Sequence, residues 1–272
     1  MLYLNKGIGK WFIMNKYMQL AIEEAKLGIS LDLISVNVKM AYDAIRSILG
    51  EEALAAVGSV SVLYTLLAGF FNGLTLGFSV ITARLFGSKD EKKLKQNVAG
   101  AILLGFITAS VIIVFVAIFL KPILEFLNVQ DRQINISFNY IRILVWGMFV
   151  TLSYNLCANT LRAIGDSITP LIFLMIAAVT NVGLDYAFIL ILDMGVSGAA
   201  MATVLSQLLS VVLCVLRIKK AFPILHVSKE DFVLTKSQVY TMYESGLSMG
   251  LMSSLVNFGT LILQSGINQL GT

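Results

Sequence analysis

Two pairs of polar side chains stand inside otherwise apolar stretches of this 272-residue sequence. Asn181 and Asp185 are four residues apart, as are Thr203 and Gln207, so each pair lies on one face of a helix. A carboxylate in apolar surroundings either takes up a proton, because burial disfavours its charged form, or holds a cation together with other oxygen ligands. Asn181 supplies such an oxygen, and the second pair could face the first from a neighbouring helix. These residue types predict a site for a proton or a cation.

The same residues would also fit two simpler roles. The pairs could form a knot of interhelical hydrogen bonds that only holds the helices together. The small residues that would let the helices approach closely are Gly198, Ala199, Ala200 and Ala202. Asp185 could also lie nearer the outer membrane interface and be hydrated. The pattern alone leaves these alternatives open.

The surrounding composition is that of a membrane protein. Hydrophobic residues make up 57% of the chain and charged residues 13%, whereas ordinary globular domains have about 25% charged residues. A helix of about 20 apolar residues crosses the hydrocarbon core of a bilayer. Five such segments are predicted, and they cover residues 54–83, 98–120, 136–160, 168–192 and 195–216. The predicted fold class is therefore all-α, a polytopic membrane helix bundle, since the alternating segments of a membrane barrel are missing from the sequence.

The two ends of the sequence differ from this pattern. Residues 1–48 carry many charges, each of which would cost about 2.5–3.5 kcal/mol at membrane depth. They predict an atypical amphipathic segment in place of a first span, and they lack the pattern of a signal peptide. A last apolar segment begins near Tyr243 and runs to Thr272.

Basic residues indicate the orientation of the chain. The segments 84–97, 159–170 and 217–242 hold eleven lysines and arginines, whereas the alternate connections hold two. Because Lys and Arg are favoured in cytoplasmic loops, these three segments are predicted to be cytoplasmic. The net charge of +4 then reflects topology and does not indicate a nucleic-acid partner.

The segment 159–170 has the residues of a tight turn between two helices. Gly165 permits a left-handed helix end. Asp166 or Ser167 can cap the next helix, and Pro170 fits the first turn of that helix.

Other positions are weaker candidates. Gln264 and Asn268, four residues apart in the last segment, could line a cavity, and the glycines around Asn72 predict a kinked or closely packed helix. The only histidine, His226, lies in a predicted loop. The two cysteines lack the spacing of a metal site, and no phosphate-binding glycine loop is found. We therefore expect neither an enzyme nor a bound metal or cofactor.

Several motifs, in their order along the chain, resemble those of the MATE (multidrug and toxic compound extrusion) family. They cover about residues 49–272: "LGEEALAAVGS" (49–59), "GLTLGFSVITARLFGSKD" (73–90), "LRAIGDSITP" (161–170), "NVGLDYAFI" (181–189), "MGVSGAAMATVLSQ" (194–207) and "GLSMGLMSSLVNFGTLILQSGINQLGT" (246–272).

The resemblance implies a fold, an activity and a site. It implies two six-helix lobes that alternate their access, and export of organic, often cationic compounds in exchange for H⁺ or Na⁺. Carried over by position, Asn181, Asp185 and Thr203 match members of a cation-binding site in the N-terminal lobe. It also implies a multi-pass protein of the cell membrane, whose partners are small organic molecules and the lipid bilayer.

The chain departs from the family pattern at both ends. We expect one six-helix lobe plus the start of a seventh span: an N-terminal lobe at 49–242 with its linker 217–242, then the beginning of a second lobe at 243–272. The rest of the second lobe would be a missing partner. Asp43 is the nearest counterpart of an aspartate in the family's first span, but its spacing differs. A lipid-precursor flippase of the same broad superfamily and a non-functional truncated product are the alternative functions.

Overall fold

The structure is a computed structural model that describes residues 51–127, 129 and 133–269. Seven α-helices run through this part of the chain. They are α1 (Glu51–Gly87), α2 (Glu91–Ile118), α3 (Leu120–Phe126), α4 (Ile134–Ala163), α5 (Ile168–Asp185), α6 (Gly195–Ala221) and α7 (Lys236–Gln269). A π-helical segment, Tyr186–Ile191, follows α5, and two 3-10 turns, Pro223–Leu225 and Lys229–Phe232, connect α6 to α7. The predictions for residues 1–48, including Asp43, lie outside the described residues.

Five of the described helices are long and apolar enough to cross a membrane. They are Ala55–Gly87, Glu91–Ile118, Ile134–Ala163, Ile168–Ile189 and Gly195–Ala221. These are the five segments that the hydropathy pattern predicts, so the prediction of an all-α membrane bundle is confirmed. α7, the helix of the last predicted segment, is not among the five, and the count of six spans plus one stays a prediction.

The surface of these helices is apolar where a soluble protein would be polar. On α2, only 33% of the most apolar window is buried, and Val111, Phe115 and Ile118 are 59–69% exposed. Water would disfavour such a surface at roughly 25 cal/mol per Å² of apolar area, whereas lipid tails do not. The exposed stripe is therefore a surface for lipid.

Most of the segment 84–97 is helical and only its middle is a turn. α1 continues to Gly87 and α2 begins at Glu91, so only residues 88–90 form the turn. Asp90 accepts a hydrogen bond from the Lys93 backbone N–H at 3.1 Å, as a residue before a helix often does. Hydropathy identifies the part of a helix that is buried in lipid, and it cannot detect the turns of the same helix that extend into water.

The segment 159–170 forms the predicted turn. Gly165 has a φ of +98°, the left-handed conformation that glycine adopts at low cost. Asp166, rather than Ser167, caps α5: it accepts from the Thr169 backbone N–H at 3.1 Å and from the Thr169 hydroxyl at 2.8 Å. Arg217 of α6 lies 3.4 Å from the same carboxylate. Partial burial acts to raise the pKa of Asp166, but the Thr169 hydrogen bonds and the Arg217 charge outweigh it and hold that pKa below its usual value.

The described residues divide into two compact units. The first unit comprises residues 51–60, 119–145 and 171–210, and the second comprises residues 61–118, 146–170 and 211–269. In the first unit, the Ser137 hydroxyl donates to the Ala56 carbonyl at 2.9 Å, and the Ser210 hydroxyl donates to the Phe173 carbonyl at 3.0 Å. Because lipid offers no polar partner, hydrogen bonds of this kind help to hold membrane helices together.

In the second unit, α7 packs closely along α1. Three glycines of α1 face α7, and a methyl group on any of them would overlap α7 atoms; they are Gly69, Gly73 and Gly77. The closeness allows polar contacts, since the Ser245 hydroxyl donates to the Gly77 carbonyl at 3.0 Å and the Ser254 hydroxyl to the Leu66 carbonyl at 3.1 Å. The glycine pattern predicted either a kink or close packing, and close packing is found.

Buried polar side chains also connect α1 with α2 and α4 in the second unit. The Asn97 amide donates to the Thr82 hydroxyl at 2.9 Å. The Asn159 side-chain Nδ2 donates to the Thr75 hydroxyl at 2.9 Å, and the Arg162 guanidinium donates to the Asn159 side-chain Oδ1 at 2.9 Å. This part of the bundle is therefore specified by hydrogen bonds as well as by packing.

Candidate cation site

The π-helical segment begins directly after Asp185, the last residue of α5. In it, the Leu192 N–H donates to the Ala187 carbonyl at 3.0 Å, a bond to the fifth residue back instead of the fourth. Segments of this kind often occur at functional sites. Nothing in the sequence pattern predicted it, because the apolar residues 186–192 fit an ordinary helix equally well.

All four polar residues that the sequence singles out are buried in the first unit. Asn181 is 0% exposed, Asp185 1%, Thr203 2% and Gln207 1%. The first two lie on α5 and the other two on α6, the next membrane helix. The protein therefore shields Asp185 from water, which argues against a hydrated carboxylate.

The helices that carry these residues approach closely. The Ser210–Phe173 hydrogen bond joins α6 to α5 within the first unit. A methyl group on Gly198 of α6 would lie 3.0 Å from the Phe188 Cβ of the π-helical segment. Ala199, Ala200 and Ala202 are fully buried. The small residues thus provide the close approach that the sequence predicts.

The hydrogen bonds of the site are incomplete at Asn181. Within the described residues, neither its Oδ1 nor its Nδ2 has a hydrogen-bond partner. A buried amide without a partner costs about 1–3 kcal/mol. A structural knot would satisfy this amide, so the observation favours a site that receives a ligand.

Thr203 already uses its proton. Its hydroxyl donates to the Ala199 carbonyl at 3.0 Å, one turn back on α6, which leaves the lone pairs of its oxygen directed away from that bond. The site therefore offers a carboxylate, an amide oxygen and a hydroxyl oxygen. Oxygen atoms are the ligands of hard cations, and the carboxylate is also a proton acceptor.

Two hydroxyls on the same part of α6 were not predicted from the sequence. Ser206 and Ser210 are 0% exposed. With Thr203 and Gln207 they follow the spacing of three and four residues that marks one helix face. This spacing was visible in the sequence and extends the polar face of α6 over two turns.

Two weaker candidates lie on another helix. Gln264 and Asn268 belong to α7 in the second unit, and their side chains lie outside the described part of the chain. In the second unit, Asn155 is a further buried polar residue that was not predicted from the sequence. Its side chain lies on α4, and its Nδ2 has no partner among the described residues.

Comparisons with known proteins place this chain in a family. The MatE family model matches residues 33–187. The probable multidrug resistance protein YoeA of Bacillus subtilis (strain 168) is 28% identical over 247 residues, which cover 88% of this chain and 53% of YoeA. The multidrug export protein MepA of Staphylococcus aureus (strain MRSA252) is 24% identical over 211 residues, which cover 77% of this chain and 47% of MepA.

Solved structures agree with this fold. One of them is the inward-facing conformation of a multidrug resistance MATE family transporter of the MOP superfamily. It matches with a TM-score of 0.78 and a sequence identity of 23%, and the match covers 88% of this chain and 55% of that chain. The chain spans about half the length of these relatives. Since the family model covers more than half of the sequence, the chain belongs to the MatE family of multidrug efflux transporters.

Proposed function

We propose that this chain forms the N-terminal lobe of an antiporter that exports organic, often cationic compounds in exchange for H⁺ or Na⁺. The observation that carries the proposal is the fully buried Asn181–Asp185 pair on a membrane helix, in which the Asn181 amide lacks a partner among the described residues. The relatives named for multidrug resistance and export support the substrate class. Those names also favour drug export over a lipid-precursor flippase.

The coupling step takes place at the Asp185 carboxylate. A charged carboxylate is disfavoured in a buried, apolar setting, so an arriving proton or Na⁺ is bound at its oxygens. Asn181 Oδ1 and Thr203 Oγ1 complete the oxygen ligands of a sodium ion, or one of them accepts the hydrogen bond that a protonated carboxyl donates. Binding removes the net charge of the site, and a change of charge shifts the balance between two packings of the helices. Outward and inward openings then alternate with loading and release of the cation.

The same proposal sets the topology of the chain. We place the segments 84–97, 159–170 and 217–242 in the cytoplasm, and the helices in the cell membrane. The matched structure extends well beyond the part that this chain covers, which is 55% of its length. In this proposal, the rest of a second lobe would complete the cleft for the exported compound.

The test is efflux of a fluorescent organic cation from energised cells. The chain is expressed from its own gene with the natural flanking DNA, so that any second lobe encoded there is present. Asp185→Asn should abolish efflux, because the amide neither ionises nor takes up a proton at neutral pH. Asp193→Asn is the matched control: Asp193 is an exposed aspartate eight positions further along, with a φ of +51° that asparagine tolerates well. Its efflux should equal that of the native protein.

Both variants must be present in the membrane in equal amounts. Normal efflux from Asp185→Asn would refute the assignment of the cation site. Absence of efflux from the native protein and from every variant would favour the non-functional product.

A further inference from the structure

The second unit contains a cavity of about 550 Å³ that the transport proposal does not use. Three membrane helices form its walls, through residues 98–102 of α2, 156–160 of α4 and 215–219 of α6. The connection after α6 adds Leu225, His226 and Val227 to its lining. Its volume lies in the range of about 300–1,000 Å³ that is typical of small-molecule sites.

The walls of this cavity are apolar and its polar groups are few. Ala101, Leu156 and Val215 are representative of the walls. Thr160, Lys219 and His226 are the lining residues with polar side chains, and we call the exposed pair, Lys219 and His226, its polar end. His226 Nε2 lies 3.1 Å from the Lys219 carbonyl oxygen, which holds the ring against the last turns of α6. None of the described lining residues carries a carboxylate.

The cavity lies at the basic end of these helices. Lys219 and Lys220 belong to the last turn of α6. On α2, the lining residues end at Ile102, about 16 Å along the helix axis from Glu91, the first residue of α2. With these basic turns placed at the headgroup level, the cavity extends from there into the outer part of the hydrocarbon layer. Under the proposed topology this is the cytoplasmic leaflet, whose anionic lipids attract basic side chains.

We propose that the cavity binds an anionic phospholipid of this leaflet. One acyl chain enters between α2, α4 and α6, and the phosphate lies against the Lys219 ammonium and the His226 ring. The positive charge at the polar end fits an anionic headgroup and repels the organic cations that the transporter is proposed to export. The proposal rests on the topology given under the proposed function and is independent of the antiport mechanism.

The test is lipid binding to the full chain in detergent micelles, measured by native mass spectrometry. The probes are dioleoylphosphatidylglycerol, which is anionic, and dioleoylphosphatidylcholine, which is not. Lys219→Gln should weaken phosphatidylglycerol binding about fivefold, since one basic side chain near a membrane surface contributes roughly that factor toward an anionic headgroup. Lys220→Gln is the matched control: it removes the same charge from the neighbouring exposed residue, which does not line the cavity. It should change the affinity little.

A second variant tests the acyl chain separately. Cys157 lines the cavity on α4, and Cys157→Phe should fill part of the space and remove the phosphatidylglycerol adduct while the helical circular dichroism signal is retained. Three results would overturn the proposal. One is an equal loss of affinity in Lys219→Gln and Lys220→Gln, which would indicate diffuse surface charge. Another is equal binding of phosphatidylcholine, and the third is displacement of the lipid by millimolar inorganic phosphate alone, which would indicate a site for free phosphate.

Discussion

Gly73→Ala should weaken the packing of α7 against α1 measurably. A methyl carbon at this position would lie 2.6 Å from the Ser253 Oγ, 2.7 Å from the Gly250 Cα and closer still to the Met249 carbonyl oxygen. Two of these three atoms belong to the backbone, so no change of rotamer relieves the overlap. Ordinary van der Waals contact begins at 3.4 Å. The two helices would therefore have to separate by at least the difference between 3.4 Å and 2.7 Å, about 0.7 Å.

The cost of this separation can be estimated. A radial gap of 0.5–1 Å loses about a quarter to a half of each dispersion contact along the seam, and overpacking of a tight interior typically costs about 1–3 kcal/mol. Alanine recovers up to about 1 kcal/mol of helix propensity relative to glycine. The expected net loss is about 1–2 kcal/mol.

The assay is unfolding of the purified chain in mixed micelles by increasing SDS, followed by circular dichroism. Gly183→Ala on α5 is the matched control, because an added methyl group there meets no atom within 4 Å. This control should unfold at the same SDS fraction as the native chain or at a higher one. If Gly73→Ala is as stable as Gly183→Ala, the close approach of α1 and α7 is wrong.

Two further predictions concern hydrogen bonds of the second unit. Thr75→Val should destabilise the chain by about 1–3 kcal/mol in the same assay, because the buried side-chain amide of Asn159 loses its acceptor at 2.9 Å. Thr75→Ser keeps the hydroxyl and should cost far less stability. An equal loss of stability in both variants would contradict the hydrogen-bond argument. Asp166→Asn tests the carboxylate that Thr169 and Arg217 hold at a lowered pKa. Such a carboxylate contributes stability above its ordinary pKa, about 3.9, and loses that contribution as the pH falls through the lower pKa of the folded state. The native chain should therefore have a higher thermal midpoint than Asp166→Asn near pH 6, and the two midpoints should converge below about pH 4; a constant difference across this range would count against the linkage.

The spans could be predicted from sequence because lipid enforces a simple rule. Residues 98–120 and 136–160 contain long runs without charge, and only a helix satisfies every backbone group of such a run inside a bilayer. The ends of the same helices were less predictable. α2 begins at Glu91, seven positions before the predicted boundary, and its first turns carry lysines that are solvated yet helical. Hydropathy measures contact with lipid and not backbone conformation.

The residues proposed for the candidate site could be picked out from the sequence, whereas their geometry could not. A polar residue is costly within a membrane helix, so Asn181 and Asp185 stand out from their neighbours in the sequence alone. The burial of both, and the missing partner of the Asn181 amide within the described residues, needed the structure. The π-helical segment after Asp185 also needed it, because hydrogen bonding to the fifth residue leaves no compositional signal in 186–191.

The seam between α1 and α7 has a consequence for how the protein is made. α7 has two different faces along this seam. Its outer face is apolar, with Leu251 and Leu255 exposed, whereas its inner face carries hydroxyls that donate to α1 carbonyls. A ribosome produces α1 first, and Ser245 follows Gly77 by 168 residues. When α7 emerges, α1 already offers the carbonyls that these hydroxyls bind, so the polar contacts of the seam form only after the earlier helix is in place.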